Sequence, residues 1–167
     1  CVTEFRRVLF RSYDPCDFLK AKEMQQKRDS ETFKKSQADD LTNMQTGIFG
    51  YKGRVHFQTG PCINEELEAL RGLPKTEVFT QVSTLIDKHI HRNYRLYPGN
   101  YVACDLLNGT ETFAGKYTPE EKKRFEAYLQ KKLDLIQLPN KDEGFLRQRI
   151  LTMYANPAIN HLKAIAQ

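Results

Sequence analysis

Thr118-Pro-Glu-Glu-Lys-Lys-Arg-Phe-Glu-Ala-Tyr-Leu-Gln-Lys-Lys-Leu-Asp-Leu-Ile136 carries the clearest structural instruction in the chain. Thr118 suits a helix cap, Pro119 the first helical position, and Glu121, three residues after the cap, completes a capping box. Phe125, Tyr128, Leu129, Leu133 and Ile136 then recur at helical spacing, with Lys122, Lys123, Lys131 and Lys132 mostly off that stripe. Pro139 ends the element. Downstream, Leu146, Ile150, Met153 and Tyr154 continue the pattern, and Asn156-Pro157 is expected to restart a final turn carrying Ile159 and Leu162.

Upstream the reading is also mostly helical. Val102, Ala103, Leu106 and Leu107 predict a short helix before Gly109. Pro74 opens another, whose stripe is Val78, Phe79, Val82, Leu85, Ile86 and His89. Asn64 starts a short helix stopping at Gly72, and Asp29-Ser30 is the expected start of one that carries Phe33, Leu41 and Met44 to Gly47. Tyr13-Asp-Pro-Cys-Asp17 reads as a turn. Only Gly53-Arg-Val-His-Phe-Gln-Thr59 alternates as a strand, and it predicts Val55 and Phe57 on the buried face. A lone strand cannot satisfy its own backbone, so the chain reads as the C-terminal part of something larger. The expected class is mostly α with a minor β-strand.

Length and composition set the outer bounds. The chain has 167 residues, 40% of them hydrophobic and 28% charged, with 9 Gly and 7 Pro, which excludes collagen-like and disordered classes. No apolar run approaches the roughly 18 residues of a membrane-spanning helix. Cys1, Cys16, Cys62 and Cys104 are scattered without a C-x-x-C pair, which argues against zinc and for a reduced, cytosolic setting. The first twelve residues, CVTEFRRVLFRS, lack a signal-peptide core and resemble the translation of a sequencing-library adapter. On that reading Cys1–Ser12 is a non-native scar expected to pack arbitrarily, residues 13–63 end an α/β domain, and residues 64–167 form a helical region. The formal charge is +5; setting aside Arg6, Arg7, Arg11 and Glu4 lowers it to +3, too small an excess to argue for nucleic acid.

Specific chemistry is sparse. No phosphate loop and no G-x-S-x-G occurs. His89 and His91 are two apart and fall on different sides of a helix, which is wrong for a metal pair. Asp39-Asp40 and Glu120-Glu121 read as helix-dipole charges. No metal or cofactor is expected. Arg54 and His56, on the strand, are the candidates for contact with a substrate; no catalytic residue is assigned.

Several strings go further. Tyr13-Asp-Pro-Cys-Asp-Phe-Leu-Lys-Ala-Lys-Glu23, Phe33-Lys-Lys-Ser-Gln-Ala-Asp-Asp-Leu41 and Gly50-Tyr-Lys-Gly-Arg-Val-His-Phe57 resemble the C-terminal part of bacterial 1-acylglycerol-3-phosphate acyltransferases of the Bacteroidetes type. His91-Arg-Asn-Tyr-Arg-Leu-Tyr-Pro98 and Leu151-Thr-Met-Tyr-Ala-Asn-Pro157 are similar to the same branch. The resemblance implies a peripheral enzyme on the cytoplasmic side of the bacterial inner membrane. Such an enzyme moves an acyl chain from acyl-CoA or acyl-carrier protein to a lysophospholipid in phospholipid biosynthesis. The family's His-x-x-x-x-Asp pairs a general base with the carboxylate that orients it. It is absent here: Pro61, Tyr94, Leu96 and Ala166 stand five residues after His56, His89, His91 and His161. The family's Glu-Gly-Thr-Arg-type segment is absent too. The resemblance therefore implies an acyltransferase tail without its catalytic pair. The second reading is a non-enzymatic helical module that binds a protein or nucleic acid through its basic helix faces.

Overall fold

The computed structural model describes residues 7–60 and 62–166. It is mostly helical with one two-stranded sheet. In chain order the elements are β1 (Arg7–Arg11), α1 (Asp17–Asp29), α2 (Gln37–Phe49), β2 (Val55–Thr59), α3 (Asn64–Glu68), α4 (Lys75–Arg92), α5 (Pro98–Asn108), a 3-10 turn (Ala114–Lys116), α6 (Pro119–Asp134) and α7 (Glu143–Ile165). The chain divides into two compact units, Arg11–Arg54 with Leu96–Ile159, and Cys1–Phe10 with Val55–Arg95 and Asn160–Gln167.

The core of the larger unit is built on α6. Its capping box forms as the sequence predicts: Thr118 Oγ1 accepts from Glu121 N at 3.2 Å and the Glu121 carboxylate accepts from Thr118 N at 2.9 Å. The stripe buries Phe125, Leu129, Leu133 and Ile136 against Val102, Ala103 and Cys104 of α5 and Leu146, Ile150, Tyr154 and Ala155 of α7. Gly109 ends α5 with φ +64°, a left-handed conformation that favours glycine. Below it, buried Asp105 accepts from Phe113 N at 3.0 Å, Thr110 Oγ1 at 3.1 Å and Tyr117 Oη at 2.8 Å, which folds the next loop back onto α5. Burial and the Asp105 carboxylate push the Tyr117 phenol up to about 12. Gln25, also buried, fastens α1: its amide donates to Asn140 O at 2.6 Å and its carbonyl accepts from Asp142 N at 3.1 Å.

Several helix boundaries differ from the sequence reading, among them the end of α3, which stops at Glu68 and not at Gly72. Asp29-Ser30 ends α1 instead of starting a helix, because α2 takes its own capping box from Ser36 and Asp39. α2 also runs through Gly47 and stops at Gly50. α7 continues through Pro157 without the predicted restart. A proline inside a helix costs about 3 kcal/mol, and here the buried Tyr154, Ala155 and Ala158 around it hold the backbone helical.

In the smaller unit β1 pairs with β2. Two of the first twelve residues, Phe10 and Ser12, contact residues far along the chain. Phe10 is buried and meets the Tyr94 ring at 5.0 Å, and Ser12, in the larger unit, accepts from Arg54 N at 2.8 Å through its hydroxyl. Cys1 to Arg6 lie outside the described residues. The expected inward face of β2 is also corrected. Val55 is 42% and Phe57 67% exposed, whereas His56 and Gln58 are half-covered. Alternation fixes which residues share a face; packing decides which face is covered. The last turns of α7 fasten to α4, where Arg92 Nε donates to Ala164 O at 2.9 Å and His161 Nδ1 to His91 O at 2.8 Å.

Two stability measurements follow from this packing. Leu133→Ala, at a fully buried position, is expected to lower unfolding free energy by about 2–5 kcal/mol in urea titrations, whereas Lys131→Ala should stay within about 0.5 kcal/mol. Removing residues 1–12 should cost at least about 1.5 kcal/mol, the lower end of what burying a Phe contributes; a loss below about 0.5 kcal/mol would show that β1 does not support the fold.

Candidate functional site

The larger unit contains a cleft of about 440 Å³, lined chiefly by Tyr13, Tyr51, Arg54, Tyr97, Arg124 and Tyr128. Several local features open it. Gly53, at φ +63°, turns the chain between α2 and β2 so tightly that a Cβ there would collide with Ser12 Oγ. That turn places Arg54 at the cleft wall. Gly99, in the first turn of α5, lies so close to the Phe125 ring that a Cβ would sit 3.0 Å from it. The Tyr97 amide donates to Asn100 Oδ1 at 2.8 Å, and Asn100 Nδ2 donates to Tyr154 O at 2.9 Å, which anchors this end of α5 to α7.

Four tyrosines and two exposed arginines line the cleft. Tyr13 lies 4.3 Å from Tyr128 and 5.8 Å from Tyr51, centroid to centroid. Arg54 sits 4.7 Å over the Tyr97 ring, a cation–π arrangement worth about 0.5–1 kcal/mol when exposed. Neither the Arg54 nor the Arg124 guanidinium is ion-paired or hydrogen-bonded through its side chain among the described residues. Glu121, the one carboxylate in the lining, is turned back onto Thr118 N. Burial, with the Tyr51 phenol, raises the Tyr13 pKa against the pull of Arg124 and Arg54.

Behind the cleft wall lies a buried polar centre. Asp17 is fully enclosed. Its Oδ2 accepts from Tyr128 Oη at 2.6 Å and Tyr154 Oη at 2.8 Å, and the two phenol oxygens are 2.9 Å apart. Its Oδ1 accepts from Phe18 N at 2.7 Å and pairs with Lys132 Nζ at 3.1 Å. Lys132 also donates to Pro15 O and lies over the Phe18 ring. Burial, and then the Asp17 charge, raises the pKa of both Tyr128 and Tyr154.

Of the two residues singled out from sequence, the structure places Arg54 on the cleft and leaves His56 off it, half-covered on β2. Arg124 joins Arg54; the sequence showed it only as part of a basic run. The tyrosines went unread because they are scattered over the chain, and only the helical stripe marked Tyr128. Lys132 is half-buried and paired with Asp17 instead of being a solvated surface charge. The other histidines serve local contacts, with His89 3.8 Å from Glu66 and the His91 ring against Tyr94. No group of three or more His, Cys, Asp or Glu among the described residues is arranged to hold a metal ion. Among the described residues no helix is long and apolar enough to cross a membrane. The cleft offers guanidinium donors suited to oxyanions and aromatic ring faces.

Asp17→Asn tests the buried centre. Removing one member of a buried ion pair costs about 3–5 kcal/mol, and the loss should be read in urea unfolding, with Asp142→Asn, in a half-exposed pair with Arg28, as a control within about 1 kcal/mol. Alkali gives a second test. Tyr128 and Tyr154 hold their protons more tightly folded than unfolded. Their contribution is therefore complete below the ordinary phenol value near 10 and is lost as pH rises above it. Absorbance titration should show these two phenols ionising only with unfolding.

Compared with known proteins, the chain matches no family model, no curated protein and no solved structure.

Proposed function

We propose that this chain is the C-terminal part of an acyltransferase that moves a fatty acyl chain from a thioester donor to a lysophospholipid at a membrane surface. The observation that supports the reading is the cleft, where Arg54 lies over the Tyr97 ring and Arg124 joins it in the lining, neither guanidinium ion-paired among the described residues. Both partners of such a reaction carry phosphate: the acceptor in its headgroup, and the donor in coenzyme A or in the carrier protein's prosthetic arm. Arginine's planar fork suits phosphate oxygens. On this reading the proton-transfer step belongs to a His-x-x-x-x-Asp pair that this sequence does not contain. Lys122 and Lys131 on α6 would add weak, salt-sensitive attraction to anionic lipid, at about 1 kcal/mol for each basic residue near the surface.

The purified 167-residue chain should transfer no acyl group from acyl-CoA or acyl-carrier protein to lysophosphatidic acid above background. A longer protein that joins this sequence to an upstream His-x-x-x-x-Asp should transfer it, and its His→Ala variant should lose about 10²–10⁴-fold, the usual contribution of a positioned general base. Transfer by the short chain alone would overturn this division of labour, with His56 the first residue to change. No transfer by the longer protein with either donor would overturn the acyltransferase reading itself.

A further inference from the structure

We propose that the Tyr13–Tyr51–Arg54–Tyr97–Arg124–Tyr128 cleft is a site for a nucleotide bearing a phosphate monoester. The further step, that this nucleotide is the adenosine 3′,5′-bisphosphate end of acyl-CoA, rests on the acyltransferase reading. Of the two thioester donors, only coenzyme A carries that group.

The first ground is charge. Arg54 and Arg124 are exposed cations lining one cleft, and neither side chain has a carboxylate or hydrogen-bond partner among the described residues. Both line the same cleft as Tyr13, whose phenol feels their charge. Glu121 does not neutralise them by contact, because its carboxylate is held by Thr118 N. Arg54 is steadied by the Tyr97 ring, and a guanidinium stacked on a ring keeps its N–H fork for an oxyanion.

The second ground is shape. The cleft's volume of about 440 Å³ is in the range of sites for whole small molecules, far more than a lone phosphate ion fills. Four tyrosines line it, and Tyr51 is 72% exposed at its edge while packed on Tyr13 from within. A ring held in this way presents a free surface to a flat ligand, and base-on-aromatic stacking beside arginine is the usual means of holding nucleotide bases without reading their edges. A glycerol phosphate headgroup has no planar body to use such a surface.

The test is calorimetric titration of the full chain at fixed ionic strength with adenosine 3′,5′-bisphosphate, glycerol 3-phosphate and inorganic phosphate. Adenosine 3′,5′-bisphosphate should bind saturably, one per chain, and roughly tenfold or more tighter than the other two, the increment that stacking adds. Arg54→Ala and Arg124→Ala should each weaken it by about tenfold, as loss of a charged hydrogen bond does. Tyr51→Leu should weaken the nucleotide alone, leaving inorganic phosphate unchanged, and Tyr51→Phe should restore it. Circular dichroism and an Arg124→Gln variant guard against misfolding. Equal binding of all three phosphates, binding indifferent to the arginines, or no saturable binding would each overturn the proposal. Saturable nucleotide binding alongside a longer protein that transfers no acyl group would leave the nucleotide site standing and remove only the identification of coenzyme A. Transfer without nucleotide binding would do the reverse.

Discussion

The larger unit depends on a carboxylate that water does not reach. Asp17 begins α1, yet its side chain is bound by the phenols of α6 and α7 and by Lys132 of α6. A buried carboxylate is tolerable only when its charge and lone pairs are all met, and meeting them ties three elements from distant parts of the sequence to one point. The same Tyr128 whose hydroxyl faces Asp17 presents its ring to the cleft. The geometry of the cleft wall is therefore set by an interaction made behind it.

That dependence explains what could be read from the residues in order. α6 was legible to its cap because Thr118, Pro119 and Glu121 act within four residues, and the stripe from Phe125 to Ile136 is buried as its spacing implies. The turn at Asp14-Pro15 was local too, with Asp14 Oδ1 accepting from Cys16 N at 2.9 Å. Asp17 carried no such signal. Nothing near it in sequence shows that Tyr128 and Tyr154, more than a hundred residues away, will reach its oxygens. Arg54 was a reasonable candidate from the strand alone, but its place beside Arg124 in one cleft lining is a product of folding. Periodicity also misled where it was correct. Val55 and Phe57 do share one face of β2, and Leu41, Met44 and Ile48 recur along α2, yet these side chains are exposed. An apolar period reports that a face exists, and only tertiary packing determines what covers it.

The two grades of polar burial divide the work within the larger unit. Asp105 and Gln25 close loops onto helices with fully used hydrogen bonds, and nothing about them invites a ligand. Arg54 and Arg124 are the opposite case, exposed charges in an aromatic lining with bonding capacity unspent. Cys104 belongs to the first group: burial pushes its thiol up to about 11, which removes it from thiolate chemistry near neutral pH.

Gln25 has a consequence of its own. Its nitrogen faces two acceptors, Asn140 O and Asp29 Oδ2, and its oxygen faces one donor, Asp142 N. The orientation of the amide is thus dictated, and hydrolysis to glutamate would set an anion against a carboxylate and a carbonyl. While α1 is docked, burial keeps water from that amide. Deamidation at this position can proceed only in the intervals when α1 has come away. The slow appearance of glutamate there would therefore act as a chemical clock, recording the time the helix spends detached as the protein ages.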